Sequence, residues 1–262
     1  MITYDITGTP DSAQNTGQNT GRDVVLLHST VCDRRMWDGL YESLAAAGHR
    51  VVRADFRGFG DTPCGQGPYN DADDVLAVMD AVGMDRAVLI GASYGGRTAL
   101  EIAARFPGRV AGLALLCAGL PGVPDSAEMT AFDERETELV GYGDLEEAAA
   151  LCARTFLGPE AGEAALAAVT EMQYRAYGIQ LAGADEHSGD GDFDPAALAA
   201  VTVPALVVSG AHDLPDFHEA ADRQTALLPA ARRLHLPWAG HLPSLERPAE
   251  ITALLTDFVR SC

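Results

Sequence analysis

Lysine is missing from the 262-residue chain: all 18 basic residues are arginine. Without a side-chain amine there is no Schiff-base lysine, no Ser-Lys dyad and no Walker A lysine. Positive charge is scarce altogether, because 38 acidic residues leave a formal net charge of −20. Such a field repels polyanions, and nucleic-acid binding draws most of its affinity from neutralised phosphates, so neither nucleic acid nor an anionic membrane surface is expected as a partner. No apolar run approaches the ~20 residues of a membrane-spanning helix. The opening Met1-Ile-Thr-Tyr-Asp5 has neither a basic n-region nor an apolar h-region, which makes the cytoplasm the expected location. The five cysteines are scattered and form no Cys-x-x-Cys pair, which argues against a disulfide framework or a structural zinc site and for reduced thiols.

What the chain does have is short apolar runs of strand length: Asp23–His28, Arg50–Asp55, Ala87–Gly91, Ala111–Cys117 and Ala205–Ser209. Thr3–Thr7 and Ala231–Leu236 read as two further strands. Helical patterns lie between them, over Arg35–Ala47, Asp71–Val82 and Tyr94–Phe106, each closed by glycine or by Pro-Gly, and again over Phe217–Leu228 and Pro248–Val259. Alternating strands and helices with short connections predict an α/β fold, a doubly wound and mainly parallel sheet. From Leu120 to Thr202 the alternation stops and only helix-like stretches appear. The expectation is a helical cap, residues 120–202, inserted into a core made of residues 1–119 and 203–262. A tandem Gln-Asn-Thr-Gly run near residue 20 has nothing to bury and reads as a loop.

Gly91-Ala92-Ser93-Tyr94-Gly95 stands where a strand gives way to a helix. A serine on such a tight turn projects its hydroxyl from the carboxyl edge of the sheet, and the flanking glycines permit the strained backbone and the close approach of neighbouring chain. Three more segments complete a pattern: Leu26-Leu27-His28-Ser29 with Arg35-Met36-Trp37, Asp55-Phe56-Arg57-Gly58-Phe59-Gly60, and Gly240-His241-Leu242-Pro243 running on to Glu246-Arg247-Pro248. On these segments the chain resembles the α/β-hydrolase superfamily over nearly its whole length. Within it, the chain looks most like small cap-bearing carboxylesterases and 3-oxoadipate enol-lactonase-like hydrolases.

The resemblance implies a Ser-acid-His triad acting on a small-molecule ester or lactone through an acyl-enzyme, with no cofactor and no metal. Ser93 is the candidate nucleophile, and His241, in a loop after the last strand, its base. Asp213 follows the strand Ala205–Ser209 and matches the acid position. Asp216 is the rival within reach, with a helix-entry role as its alternative. The backbone amides of Tyr94 and Thr30 are the candidate oxyanion donors, and His28, Ser29 and Trp37 the candidate pocket residues. Where the family usually has His-Gly, this chain has His28-Ser29. The same triad serves carbon-carbon bond hydrolysis, perhydrolysis and acyl transfer, and the fold also hosts weakly catalytic binding proteins.

Two metal-like patterns are set aside. Asp190-Gly191-Asp192-Phe193-Asp194 lacks the glycine and glutamate of a calcium loop, and the cluster His212, Asp213, Asp216 and His218 sits at a helix entry. His187, alone in the cap, is not expected to take part in the chemistry. The net charge favours neutral over anionic substrates, unless Arg34, Arg35, Arg57 or Arg97 lines the entrance and reverses the local sign.

Overall fold

The computed structural model describes residues 1–8, 21–65, 67–183 and 193–262. Seven strands form its sheet: β1 (Tyr4–Thr7), β2 (Asp23–Leu27), β3 (Arg50–Ala54), β4 (Ala87–Ala92), β5 (Val110–Leu116), β6 (Ala205–Gly210) and β7 (Ala231–Leu236). They lie in the order β1-β3-β2-β4-β5-β6-β7, with β1 antiparallel to β3 and the remaining neighbours parallel. The helices are α1 (Asp38–Ala46), α2 (Asp71–Ala81), α3 (Tyr94–Arg105), α4 (Ala127–Tyr142), α5 (Leu145–Phe156), α6 (Glu163–Ala182), α7 (Pro215–Leu227), α8 (Pro243–Glu246) and α9 (Pro248–Ser261). This is the doubly wound, mainly parallel α/β fold that the strand-helix alternation predicts. No helix among the described residues is long and apolar enough to cross a membrane.

Burial of the central strands on both faces explains their unbroken Val, Leu, Ile and Ala content. The pleat sends Val24 and Leu26 to one side, against Leu40 and Leu44 of α1 and Leu255 and Val259 of α9. Val25 and Leu27 turn to the other side, against Met79 of α2, Leu100 of α3 and Ala221 of α7. Strand β7 lies at the sheet edge and keeps Arg232 and His235 exposed, the charged surface that discourages pairing with another chain.

Three local features differ from the periodicity. The pattern over Arg35–Ala47 reads as one helix, but the structure has a 3-10 turn over Arg34–Trp37 before α1, because the Asp33 carboxylate accepts the Arg35 amide at 2.9 Å and caps that turn. The short helix α8 is set off by prolines at both ends, Pro243 and Pro248. Finally, the segment between β5 and β6 contains two packing environments. Buried residues of α4, α5 and α6 pack in the cluster on the α1 and α9 face of the sheet, whereas Phe193, Leu198 and Val201, around a 3-10 helix over Pro195–Ala200, pack beneath α3 and α7 in the cluster on the opposite face. His187, Asp190, Asp192 and residues 14–20 of the tandem run lie outside the described residues.

Register decides what the sheet presents. Leu27 pairs with Gly91, Ala92 with Leu116, Leu116 with Val208, and Gly210 with Leu236. The segments leaving β2, β4, β6 and β7 therefore emerge from one carboxyl edge, carrying Ser29 and Thr30, Ser93, Asp213 and His241. The chain winds outward in opposite directions from β2 and β4, and beside such a switch point the open crevice of a doubly wound sheet lies.

Candidate active site

Ser93 occupies the turn from β4 into α3 with φ 52° and ψ −117°, a left-handed backbone that a serine adopts only when its surroundings enforce it. The enforcement is visible: the Ser93 amide donates to Leu116 O at 2.9 Å, and its carbonyl accepts from Arg97 at 3.0 Å and Gly119 at 3.2 Å. A Cβ on Gly91 would lie 2.3 Å from Gly95 O, and one on Gly95 would lie 2.3 Å from Leu27 O. These glycines are spaced as they are because strand and helix cross there with no room for a side chain. Tyr94 opens α3, so its amide belongs to the helix end where N–H groups and the macrodipole favour negative charge. The Tyr94 side chain is turned to other work, its hydroxyl donating to Asp71 Oδ2 of α2 at 2.7 Å and its ring meeting Phe56 edge-on.

His241 follows β7 in a tight turn. Its Nδ1 lies 2.9 Å and 3.0 Å from the two carboxylate oxygens of Asp213, and both side chains are buried. The imidazole is held between the rings of Phe156 and Phe217, at centroid distances of 5.0 and 3.9 Å, and its amide donates to Phe156 O at 2.8 Å. Glu246 of α8 accepts the Gly240 amide at 3.0 Å and anchors the same turn; burial pushes its carboxyl up from the ordinary range. Close backbone approach matters here too, since a Cβ on Gly210 would fall 2.0 Å from Gly240 O. The Cys117 thiol stands beside the pair and, with burial first and Asp213 second, is pushed well up and stays protonated.

Asp216 is engaged elsewhere: it accepts from the Ser126 amide at 2.7 Å and from the Ser126 hydroxyl, fastening the start of α4 to α7. The His212–His218 cluster does not converge on a common point among the described residues, because Asp213 faces His241 and Asp216 faces Ser126.

After β2, the Ser29 amide donates to Met36 Sδ at 3.4 Å and the Ser29 hydroxyl accepts from Val31 at 3.5 Å. Thr30 is exposed, and among the described residues no acceptor meets its amide. His28 is fully buried with Nδ1–H donating to Ser29 O at 2.8 Å and Nε2 accepting the Phe56 amide at 2.9 Å; burial lowers its pKa, so it is a neutral brace.

A cavity of about 750 Å³ opens over this edge, lined by Ser93, His241, Ser29 and Thr30 on the sheet side, and by residues of α4 and α6 opposite. Of the three expected pocket residues, only Ser29 reaches this wall. His28 is held beneath it by its two backbone partners, and Trp37 is packed into the core beside α1 and α9, where it lines a separate crevice. Nor does the cavity carry any of the four arginines that would reverse the local sign of charge there. Arg34 is paired with Asp5, Asp55 and Asp61, Arg35 with Asp33 and Glu171, and Arg57 with Asp74, while the Arg97 guanidinium lies 5.9 Å from the Tyr94 ring centre. The Asp55–Gly60 motif is thereby explained as a buttress: Asp55 accepts the amides of Arg34 and Asp61 at 2.8 Å, and Gly60 has φ 53° with no space for a Cβ against that carboxylate. Sequence reasoning missed Phe156, Phe217 and the inward faces of α4 and α6, which show no motif.

The pimeloyl-[acyl-carrier protein] methyl ester esterase of Aromatoleum aromaticum is 30% identical over 256 residues, spanning 91% of this chain and 98% of that protein. The enol-lactonase from Burkholderia xenovorans LB400 superposes with a TM-score of 0.74 at 25% identity, covering 98% of this chain and 95% of that one. Est816, described as an N-acyl homoserine lactone degrading enzyme, gives a TM-score of 0.75 at 26% identity over 98% of this chain and 96% of that one. The family model for the alpha/beta hydrolase fold matches residues 23–248, and the chain belongs to that family.

Proposed function

We infer that the protein hydrolyses a carboxylic ester or lactone through an acyl-enzyme on Ser93. The observation that carries this reading is the 2.9 Å bond between His241 Nδ1 and the buried Asp213 carboxylate, on the wall of a cavity that Ser93 also lines. With its proton held on Nδ1, the imidazole offers Nε2 as base to the Ser93 hydroxyl, a step that contributes ~10²- to 10⁴-fold. Attack on the carbonyl carbon places charge on its oxygen, which the amides of Tyr94 and Thr30 receive; one such donor is worth about 2.7–4 kcal/mol. Collapse breaks the C–O bond, and the departing alkoxide takes the proton from His241. Water, deprotonated by the same imidazole, then attacks the acyl-enzyme and frees the acid.

The esterase and lactonases among its relatives support a small-molecule ester or lactone as substrate. The cap, residues 120–202, is assigned the recognition of the acyl or alcohol part, because α4 and α6 form the wall opposite Ser93. Five unpaired thiols support a reducing compartment, the cytoplasm. A fluorophosphonate probe with peptide mapping, run beside a panel of p-nitrophenyl esters and simple lactones, tests the reading. The expected result is label on Ser93 and turnover that Ser93→Ala reduces to near background; an unlabelled, inactive protein overturns it.

A further inference from the structure

Resting on the hydrolase reading of Ser93, we propose that Glu246 is a positioning residue for that reaction: its carboxylate ties the turn that carries His241 to the α5–α6 connection of the cap, so that the cap helps to place the base. Three pieces of chain meet at this carboxylate. Both of its oxygens accept from the Gly240 amide, at 3.0 and 3.1 Å, and the amides of Gly158 and Leu242 face it as well. Gly240 and Leu242 flank His241, so the backbone on either side of the imidazole is anchored on one group. Gly158 belongs to the connection between α5 and α6. Burial raises the Glu246 pKa and these amides oppose the rise, the pattern of a charge held by backbone donors.

The approach of the cap backbone is close. A Cβ on Gly158 would lie 2.5 Å from Glu246 Oε2 and 2.6 Å from Gly240 N, and one on Gly240 would lie 2.4 Å from Gly158 N. Two residues before Gly158, the Phe156 carbonyl accepts the His241 amide at 2.8 Å while its ring packs on the imidazole. The base is therefore held from the cap through its backbone and from the sheet through Asp213. Glu246 is suited to the tie because α8 is a single turn between Pro243 and Pro248, whose fixed φ angles limit how far it swings. Its neighbour Arg247 does not compete for the carboxylate, being paired with Glu160 and Glu250. An acceptor committed to backbone donors on both sides of a catalytic side chain sets where that side chain stands, and a displacement of ~1 Å there costs on the order of 100-fold in rate.

Steady-state kinetics of Glu246→Gln on the best p-nitrophenyl ester, at a temperature where circular dichroism shows the variant folded, test the assignment. The amide side chain puts an N–H group where a second acceptor oxygen stood. The variant should lose about 10- to 100-fold in kcat with KM nearly unchanged, because the ester still binds while the base is misplaced. Glu246→Asp keeps the charge on a shorter stem and should recover part of the loss; it carries the same test where Glu246→Gln does not fold. Glu250→Gln, an equal change of charge on exposed α9 surface, should match the wild type. A readout free of substrate is the low-field proton resonance of His241 Nδ1–H, identified by its loss in His241→Ala, which should shift or exchange faster in Glu246→Gln. Wild-type kcat in Glu246→Gln, with only KM or Tm altered and esters still turned over through Ser93, overturns the assignment alone. If the wild type turns over no ester, the hydrolase reading fails and the resonance decides: its dependence on Glu246 keeps the tie, and an unchanged resonance overturns it.

Discussion

At Ser93 the backbone holds a conformation that costs a serine ~1–3 kcal/mol, and three hydrogen bonds to neighbouring chain keep it there. Stored strain of this kind suits the proposed role of Ser93 as nucleophile, which requires its side chain to stand clear of the sheet. Ser93→Ala and His241→Ala are each expected to reduce ester turnover to the background left by the oxyanion donors and binding, and the double variant to lose no more than either. A much larger loss in the double variant would contradict a shared step. Asp213→Asn should be nearly as damaging, because the imidazole loses the acceptor that fixes its tautomer. Asp216→Ala should behave differently: it removes the charged acceptor of Ser126, so it is expected to cost about 1–3 kcal/mol of stability and raise KM, with kcat retained. Steady-state kinetics and urea melts on the two variants separate these outcomes. Burial also lowers the pKa of His28 and His49 below the ordinary histidine value. The unfolded chain then binds protons more readily, so this contribution is complete above about pH 6.5 and is lost as pH falls below it. Urea midpoints should therefore decline from about pH 7 to 5, and a flat profile would sink the assignment of neutral buried rings.

Among the elements, β4 and α3 cross with no room for a side chain. Because a Cβ on Gly95 would meet backbone atoms of Leu27 and His28 rather than a flexible side chain, Gly95→Ala must push β2 and α3 apart. Its cost should exceed the ~1 kcal/mol typical of a point substitution, and circular dichroism melts with activity assays should register both losses together. This crossing was legible as sequence, since a strand run followed by Gly-x-Ser-x-Gly and a helix pattern leaves few geometries open. The parallel strands were legible for a related reason, because double-faced burial demands unbroken apolar runs. Adjacency to a strand end together with the family's acid position favoured Asp213 over its rival Asp216, and the structure pairs the former with His241 and the latter with Ser126. What stayed hidden was whatever depends on distant partners. Trp37 and His28 sit next to the right segments, but their orientation is set by core packing and by the Phe56 amide. The placement of Arg34, Arg35, Arg57 and Arg97 was equally ambiguous, since only the fold reveals that Arg34 meets Asp5, Asp55 and Asp61. The inward faces of α4 and α6 carry no periodic apolar stripe that distinguishes a cavity wall from a packed core.

On the scale of the whole molecule, the dominant fact is 38 carboxylates against 18 guanidiniums. Many of the arginines are already committed to ion pairs, and exposed pairs of this kind contribute little to stability, so the surplus negative charge governs the field at the cavity mouth. That field is screened over about 8 Å at physiological ionic strength. An anionic ester approaching Ser93 is therefore repelled at low salt and less so as salt is added, while a neutral ester of the same shape feels nothing. Among the described residues no arginine lines the cavity to reverse the local sign. The kcat/KM of an anionic ester is expected to rise with sodium chloride and that of the neutral analogue to stay flat. Stopped-flow or initial-rate measurements across an ionic-strength series check this directly. A fall for the anionic ester would mean that a guanidinium reaches the entrance in solution, and would place a carboxylate on the natural substrate.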